Sequence, residues 1–395
     1  VLRLTREQVA THPKTDLFRS IAMTQATTNL YASQPYNKDA WGHKAYDEFI
    51  ENFFFTAMLG EGEEAIIEHI TELTKNAKGE SGAWLHLIPD IHGGGIVGDN
   101  QAVGRERSLE ASWYRCQYDQ LRNGMVTKGR LAEQKSVVQE RKHFRKKMAR
   151  WYAESLEDQA ILTASGITYD QNVDGSPRVT PANQDVWTDL SYAATVRPPS
   201  ANRHYRWTTA NGLDVGDTTL VAAGDYPTYG ILPDLEALAA QSRLTPLRIG
   251  KEEYFVWLIH KKSMARLWKD EDFRRAVVDG SVRGPNNPVF ANSKVTMNNI
   301  IIKPYQRVYS TYGAASGTSK WGSGHAIDGT RSLLLGAQSL AFVDLGAINW
   351  EEELFDAKNR WGLYVDKMTG WEKPEFKSSY TNTVEDLMIC LDMAL

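Results

Sequence analysis

From Leu131 to Ser165 the chain holds neither proline nor glycine. That stretch constrains the fold more than any other. Phe144, Met148, Trp151, Ser155 and Leu162 fall near one stripe at steps of three, four or seven, the spacing of an amphipathic helix. At 1.5 Å per residue, about 35 residues make a rod on the order of 50 Å, which is long for a helix inside one small globule. The same stretch carries the strongest charge feature: Arg141, Lys142, His143, Arg145, Lys146, Lys147 and Arg150. Like charges stand four apart at 141/145, 142/146 and 146/150. Each such pair weakens an isolated helix by roughly a few tenths of a kcal/mol. An anionic partner would offset that repulsion. Carboxylates of a neighbouring subunit are the first reading; plain solvation and nucleic acid are the alternatives.

Around this rod the pattern is mixed. Residues 1–36 show no sustained period and read from composition as an extended arm or, equally, a disordered tail. A helix is expected over Asp39–Leu59, where Trp41, Ala45, Phe49 and Phe53 recur at four-residue spacing, and a second over Glu63–Lys75 with Ile66, Ile67, Ile70 and Leu73 on its apolar face. Ala83–Ile88 and Ser112–Leu121 have strand composition and flank a polar, glycine-rich stretch, His92–Glu110. They predict a long hairpin that projects and is mobile at its tip, at Gly93, Gly94, Gly95 and Gly98. Residues 166–230 are loop-rich. A helix over Pro233–Ser242, a strand over Tyr254–Ile259, a helix over Lys262–Val278 and a strand over Asn299–Lys303 follow. Residues 311–329 form a Gly/Ser loop, Thr330–Ser339 is short and Leu/Ala-rich, and the remainder is strand-like. The order gives an α+β protein with a projecting arm and hairpin.

The chemistry that could make this an enzyme is missing from the sequence. Gly93-Gly94-Gly95-Ile96-Val97-Gly98 has the glycine spacing of a dinucleotide site, but no helical stripe follows to meet a pyrophosphate. His86, Asp90 and His92 lie close, yet Pro89 interrupts them and no second ligand cluster appears. His204, His260 and His325 sit in unrelated segments, and no serine stands in a nucleophile elbow. Neither a catalytic residue, a cofactor nor a metal is assigned. Two cysteines, Cys116 and Cys390, are too few for a disulfide framework, and free thiols are expected. A net charge of -4 does not mark the whole chain as a nucleic-acid binder, and no apolar run is long enough for a membrane helix. The 12 Trp and 17 Tyr are spread along the chain, as a protein burying surface against several neighbours, or one with a large aromatic core, would use them.

Several segments, in shared order over roughly residues 40–375, resemble the major capsid proteins of the enquatro-like (N-four-like) podophages, a branch of the Hong Kong 97-like fold. They are Ile67-Glu68-His69-Ile70-Thr71-Glu72-Leu73; Gly95-Ile96-Val97-Gly98-Asp99-Asn100 with Glu106–Glu110; Asp119-Gln120-Leu121-Arg122; Glu252-Glu253-Tyr254-Phe255-Val256-Trp257-Leu258-Ile259-His260; Leu335-Gly336-Ala337-Gln338-Ser339-Leu340-Ala341; and Asn359-Arg360-Trp361-Gly362.

The resemblance implies an N-terminal arm at 1–36, helices preceding the extended E-loop at 37–79 and the E-loop hairpin at 80–125. It implies a peripheral domain with its spine helix at 126–227, an axial domain at 228–346 and a return to the peripheral domain with a C-terminal segment at 347–395. It further implies a non-enzymatic shell subunit of the virion, assembled in the host bacterial cytoplasm into hexamers and pentamers around double-stranded DNA. Partners would be copies of itself, scaffolding, portal and cement proteins, and the packaged DNA by non-specific contact; no membrane is involved. Intersubunit contacts are expected from Trp113, Tyr114 and Tyr118 in the hairpin and from Arg141, Lys142, Arg145, Lys146 and Arg150 on the spine. An encapsulin-like nanocompartment shell and a nucleotide-dependent enzyme are the competing readings. Some capsids of this fold weld an E-loop lysine to a neighbour's asparagine; from Gly82 to Arg122 this chain has no lysine, so no such link is expected.

Overall fold

Two sheets and the helix between them organise the chain. The structure is a computed structural model. It describes residues 35–62, 64–71, 82–87, 95–101, 103, 112–135, 140–182, 184–249, 252–280, 295–297, 299–346, 348–377 and 383–395.

The larger sheet has eight strands, in the order β10 (Val295–Met297), β11 (Ile300–Tyr305), β9 (Glu252–His260), β12 (Gly329–Leu335), β18 (Met388–Ala394), β6 (His204–Thr208) and β7 (Gly212–Val215), with β8 (Leu247–Ile249) pairing β9. β11 runs parallel to β9 and β18 parallel to β6, while β12 is antiparallel to both its neighbours. β12 and β18 are buried at every position. Such strands read as continuous apolar runs because both faces are covered. Their residues alternate between two clusters. Phe255, Trp257, Ile259, Leu334, Ile389, Leu391 and Met393 pack with α4 (Ile231–Gln241), α5 (Lys261–Leu267) and α6 (Glu271–Gly280). Val256, Leu258, Leu333, Leu335, Met388 and Cys390 pack in the other cluster with α3 (Glu140–Ser165).

The smaller sheet has six strands: β1 (Leu59–Gly60), β2 (Ile67–Ile70), β13 (Leu340–Asp344), β15 (Arg360–Glu372) and β14 (Asn349–Phe355) in order, with β5 (Asp119–Val126) also on β15. β15 is long enough to pair β13 at one end, β14 at the other and β5 along its opposite edge. α1 (Pro35–Asn52) and α3 cover one face. Phe342 stacks on Trp371 at 4.4 Å, Phe53 packs beside both, and Phe144 of α3 meets Trp350 edge-on at 5.7 Å. Tyr152 donates its hydroxyl to the carbonyls of Leu121 and Val365, tying α3 to β5 and β15. β5 alternates half-buried and exposed along its length, so the other face is open at β5, while at β13 both faces are buried.

β3 (Gly82–Leu87) and β4 (Ser112–Gln117) form the expected hairpin, with Gly82 opposite Gln117 and Leu87 opposite Ser112. Other expectations change. Residues 67–70 are strand, not helix: Ile67 and Ile70 pair in parallel with Leu340 and Val343 of β13. A short run of β-branched residues gains more from an open sheet edge than from a helix too short to stand alone. The first helix stops at Asn52, and Phe54–Met58 is a 3-10 turn leading into β1. The rod is described as α2 (Arg130–Lys135) and α3, on either side of residues 136–139, which lie outside the described residues. The single helix expected over Lys262–Val278 is two, α5 and α6. Asp270 intervenes, accepting from the amides of Asp272 (3.2 Å) and Tyr229 (2.6 Å) and so capping α6. The Leu/Ala-rich segment from Thr330 is the central strand β12.

Candidate assembly surfaces

The hairpin is rooted by a polar cluster. Glu372, fully buried near the end of β15, accepts from the Tyr114 hydroxyl of β4 (3.1 Å) and from Thr195 Oγ1 (2.8 Å). Arg197 donates to Tyr114 Oη (2.8 Å) and to the Lys373 carbonyl (2.8 Å), and pairs with Glu375 at 3.1 Å. Burial pushes the Glu372 carboxyl up to about 7; bonds from Thr195 and Tyr114, the Arg197 charge and the Gln117 amide pull the other way. Lys373 sits buried beside Asp386 (3.3 Å) and donates to the carbonyls of Arg197 (2.9 Å) and Pro198 (3.2 Å). Tyr114 and Tyr118 pack with Ile70, Cys116, Ala341, Val343, Phe376 and Leu387. Both tyrosines were expected at intersubunit contacts. The structure gives them contacts inside the subunit, because β4 leans on β13 and β15 at the hairpin's root. The side chain of Trp113 lies outside the described residues.

At the far end of the hairpin, Gly95 (φ 66°) and Gly98 (φ 63°) take left-handed conformations that glycine adopts without strain. Gly93 and Gly94 lie outside the described residues, as do Asp90 and His92 and the side chain of His86. Ile96, Val97 and Val103 are 41%, 73% and 75% exposed, an apolar tip. Where β5, β14 and β15 expose the second face of the six-stranded sheet, aromatic rings lie over two glycines. A Cβ at Gly124 would overlap the Tyr364 ring, and one at Gly362 would overlap Phe355, so these rings lie across glycines where side chains would stand. Val126 and Met368 are exposed on β5 and β15.

On α3, Arg145 forms a bidentate pair with Glu48 of α1 (2.6 and 3.2 Å). The carboxylate expected from a neighbour is supplied in cis at this position. Lys146 and Arg150 are exposed, Arg150 reaching Glu154 at 2.8 Å. The side chains of Arg141 and Lys142 lie outside the described residues.

The polar residues missed by sequence reading are buried ion pairs. Asp392 of β18 receives both arms of Arg331 (2.7 and 2.9 Å) and lies 2.7 Å from His204 Nε2, while Arg331 also donates to the Ser165 carbonyl at the end of α3 (2.8 Å). Burial works against the Asp392 charge, but Arg331 and His204 overcome it and hold the carboxyl below its usual range. Lys367 lies 2.7 Å from Asp344, and burial lowers its affinity for a proton. A charged residue inside an apolar strand run, as in Met388–Ala394, was the available signal.

No catalytic arrangement emerges among these groups. His260 accepts from the Lys262 amide (3.2 Å) as the cap of α5, and burial pushes it down to about 4. Cys116 and Cys390 are buried free thiols, and burial pushes Cys390 up to about 12, far from a reactive thiolate. Among the described residues no group of His, Cys, Asp and Glu could hold a metal ion, and no helix is long and apolar enough to cross a membrane.

A family model described as "Phage capsid protein" matches residues 32–388. The chain is 36% identical over 356 residues to the major capsid protein of Pseudomonas phage KPP25, covering 89% of this chain and 93% of that protein. Among solved structures, the capsid of Ralstonia phage GP4 aligns with a TM-score of 0.69 at 18% identity, covering 87% of this chain and 91% of that one. The capsid asymmetric unit of cyanophage Pam1 aligns with a TM-score of 0.67 at 17% identity, covering 87% and 93%. With the family model spanning most of the chain and a major capsid protein 36% identical to it, the chain belongs to the phage capsid protein family and is a major capsid protein of the Hong Kong 97-like fold.

Proposed function

We propose that copies of this chain close into the hexamers and pentamers of an icosahedral shell enclosing a double-stranded DNA genome. The observation that carries the reading is the hairpin. Among the described residues, β3 and β4 pair only with each other, and the apolar tip is exposed. A two-stranded ribbon is at best marginally stable in water; this one is braced at its root by β13 and β15, and a neighbouring subunit gives its exposed tip a place to pack. The role is structural rather than catalytic, and the subunit assembles in the host cytoplasm with scaffolding, portal and cement proteins as partners.

In this reading the E-loop is the hairpin within 80–125, α3 is the spine, and the arm is 1–36, of which residues 1–34 lie outside the described residues. The two sheets supply the natural division of the body. The six-stranded sheet with α1 is the peripheral part, and β13 goes with it. The eight-stranded sheet with α4–α6 is the axial part, and it takes in β6, β7 and β18 from outside 228–346. Expressed with its scaffolding protein and viewed by electron microscopy, the chain should give closed shells. Protein that stays monomeric at high concentration with scaffolding supplied would overturn the reading.

A further inference from the structure

We infer that the outward face of α3, formed by His143, Lys146, Lys147 and Arg150, docks the phosphate backbone of the packaged duplex DNA, an inference that rests on the shell enclosing DNA as proposed above. These four residues are exposed and recur at steps of three, one and three, so they share one helical face. The opposite face, with Phe144, Met148, Ala149 and Tyr152, is buried against α1 and the six-stranded sheet.

Three observations favour phosphate over a neighbour's carboxylates. First, the carboxylate in this run is already present in cis. Arg145, whose planar fork suits a bidentate acid, holds Glu48 at 2.6 and 3.2 Å. Second, two of the outward positions are Lys146 and Lys147. Lysine is a compact, strongly hydrated charge on a flexible stem, suited to phosphates whose register is not fixed. Arg150 does meet Glu154, but that acid is shared with Arg307 at 3.2 Å, and the Arg150 side chain is 68% exposed. Third, the face spans about 10 Å along the helix axis, or about three phosphate steps of one DNA strand at 3.4 Å each. The chain as a whole carries a net charge of -4, so a basic stripe of this density is not a by-product of composition. The docking carries no sequence preference, because it reads only the backbone.

The test is binding of a 30-base-pair duplex to the purified full-length chain, followed by fluorescence anisotropy from about 50 to 200 mM salt. Neutralising Lys146→Ala with Lys147→Ala should flatten the slope of log K against log salt by about 2, at roughly 0.9 for each phosphate no longer neutralised. Lys146→Arg with Lys147→Arg should keep the wild-type slope. Equal slopes in wild type and the alanine variant, or a weakening that arginine does not restore, would overturn the inference. So would an alanine variant with normal DNA binding and few shells, which would make this face a contact between copies. Wild-type chain that forms no shell at all sinks the enclosure reading instead, a result visible by microscopy before any DNA is added.

Discussion

The eight-stranded and six-stranded sheets share α3 but differ in what covers them. In the first, successive residues of β9, β12 and β18 enter two separate clusters, and its centre is complete within one subunit. In the second, helices cover one face, while on the other the hairpin's root covers β2 and β13 and the β5 part stays open. On the assembly proposed above, the first holds a subunit together and the open part of the second meets its neighbours. Mutations in the eight-stranded sheet should therefore cost folding, and mutations on the open face should cost assembly.

The largest effect should come from Asp392→Ala. It leaves Arg331 buried without its counter-charge, and breaking a buried pair this way costs about 3–5 kcal/mol. Denaturant unfolding of the free subunit measures it, and a loss below about 1 kcal/mol would mean the sheet's centre is not self-sufficient. Next, Leu333→Ala and Leu334→Ala, neighbours that point to opposite clusters, should each cost about 2–5 kcal/mol. A small loss at one alone would show that one side of the sheet is poorly covered.

Glu372 sharpens the comparison through pH. Its folded carboxyl holds a proton up to about 7, against 4.5 for the ordinary group. Between those values the folded subunit binds a proton that the unfolded chain has lost. This contribution to stability is fully present below about pH 4.5 and is lost as pH rises through about 7. It amounts to about 3–4 kcal/mol, at roughly 1.4 kcal/mol per unit. Urea midpoints taken from pH 5 to 8 should fall with pH in the wild type and lose that component in Glu372→Gln. A parallel decline in both would remove Glu372 as the cause.

Smaller still is Arg145→Ala, which breaks a part-buried pair between α1 and α3 and should cost about 1 kcal/mol. Val126→Ser and Met368→Ser, both on exposed positions, should change folding by less than about 0.5 kcal/mol yet lower shell yield. Unchanged yield in both would take these two positions out of the assembly surface.

The same division explains what could be read in advance. Residues 254–259 declared themselves as a strand because β-branched and aromatic runs need a sheet whatever their partners. The long helix was visible because nothing in it could break it. Ile66, Ile67 and Ile70 misled because three isoleucines within five positions fit a helix stripe as well as a strand, and only β13, more than 260 residues away, decides between them. The Arg145 partner was invisible for a related reason. Glu48 lies 97 positions away on another helix, and a charge pattern along one helix cannot reveal what packs beside it. The capsid reading survived these misses because it rested on the order of many segments.

β18 completes the eight-stranded sheet by entering between β12 and β6, two strands made well before it. His204 and Asp392 lie 188 positions apart, and Arg331 and Asp392 lie 61 apart. At roughly 5–20 residues per second on the ribosome, about 10–40 s pass between the synthesis of β6 and that of β18. Through that interval β6 keeps an edge that only β18 fills, and β12 does so from its own synthesis onward. β18 is thus the keystone of the sheet: until it arrives, the β6–β7 ribbon and the ribbon from β10 to β12 remain two separate halves.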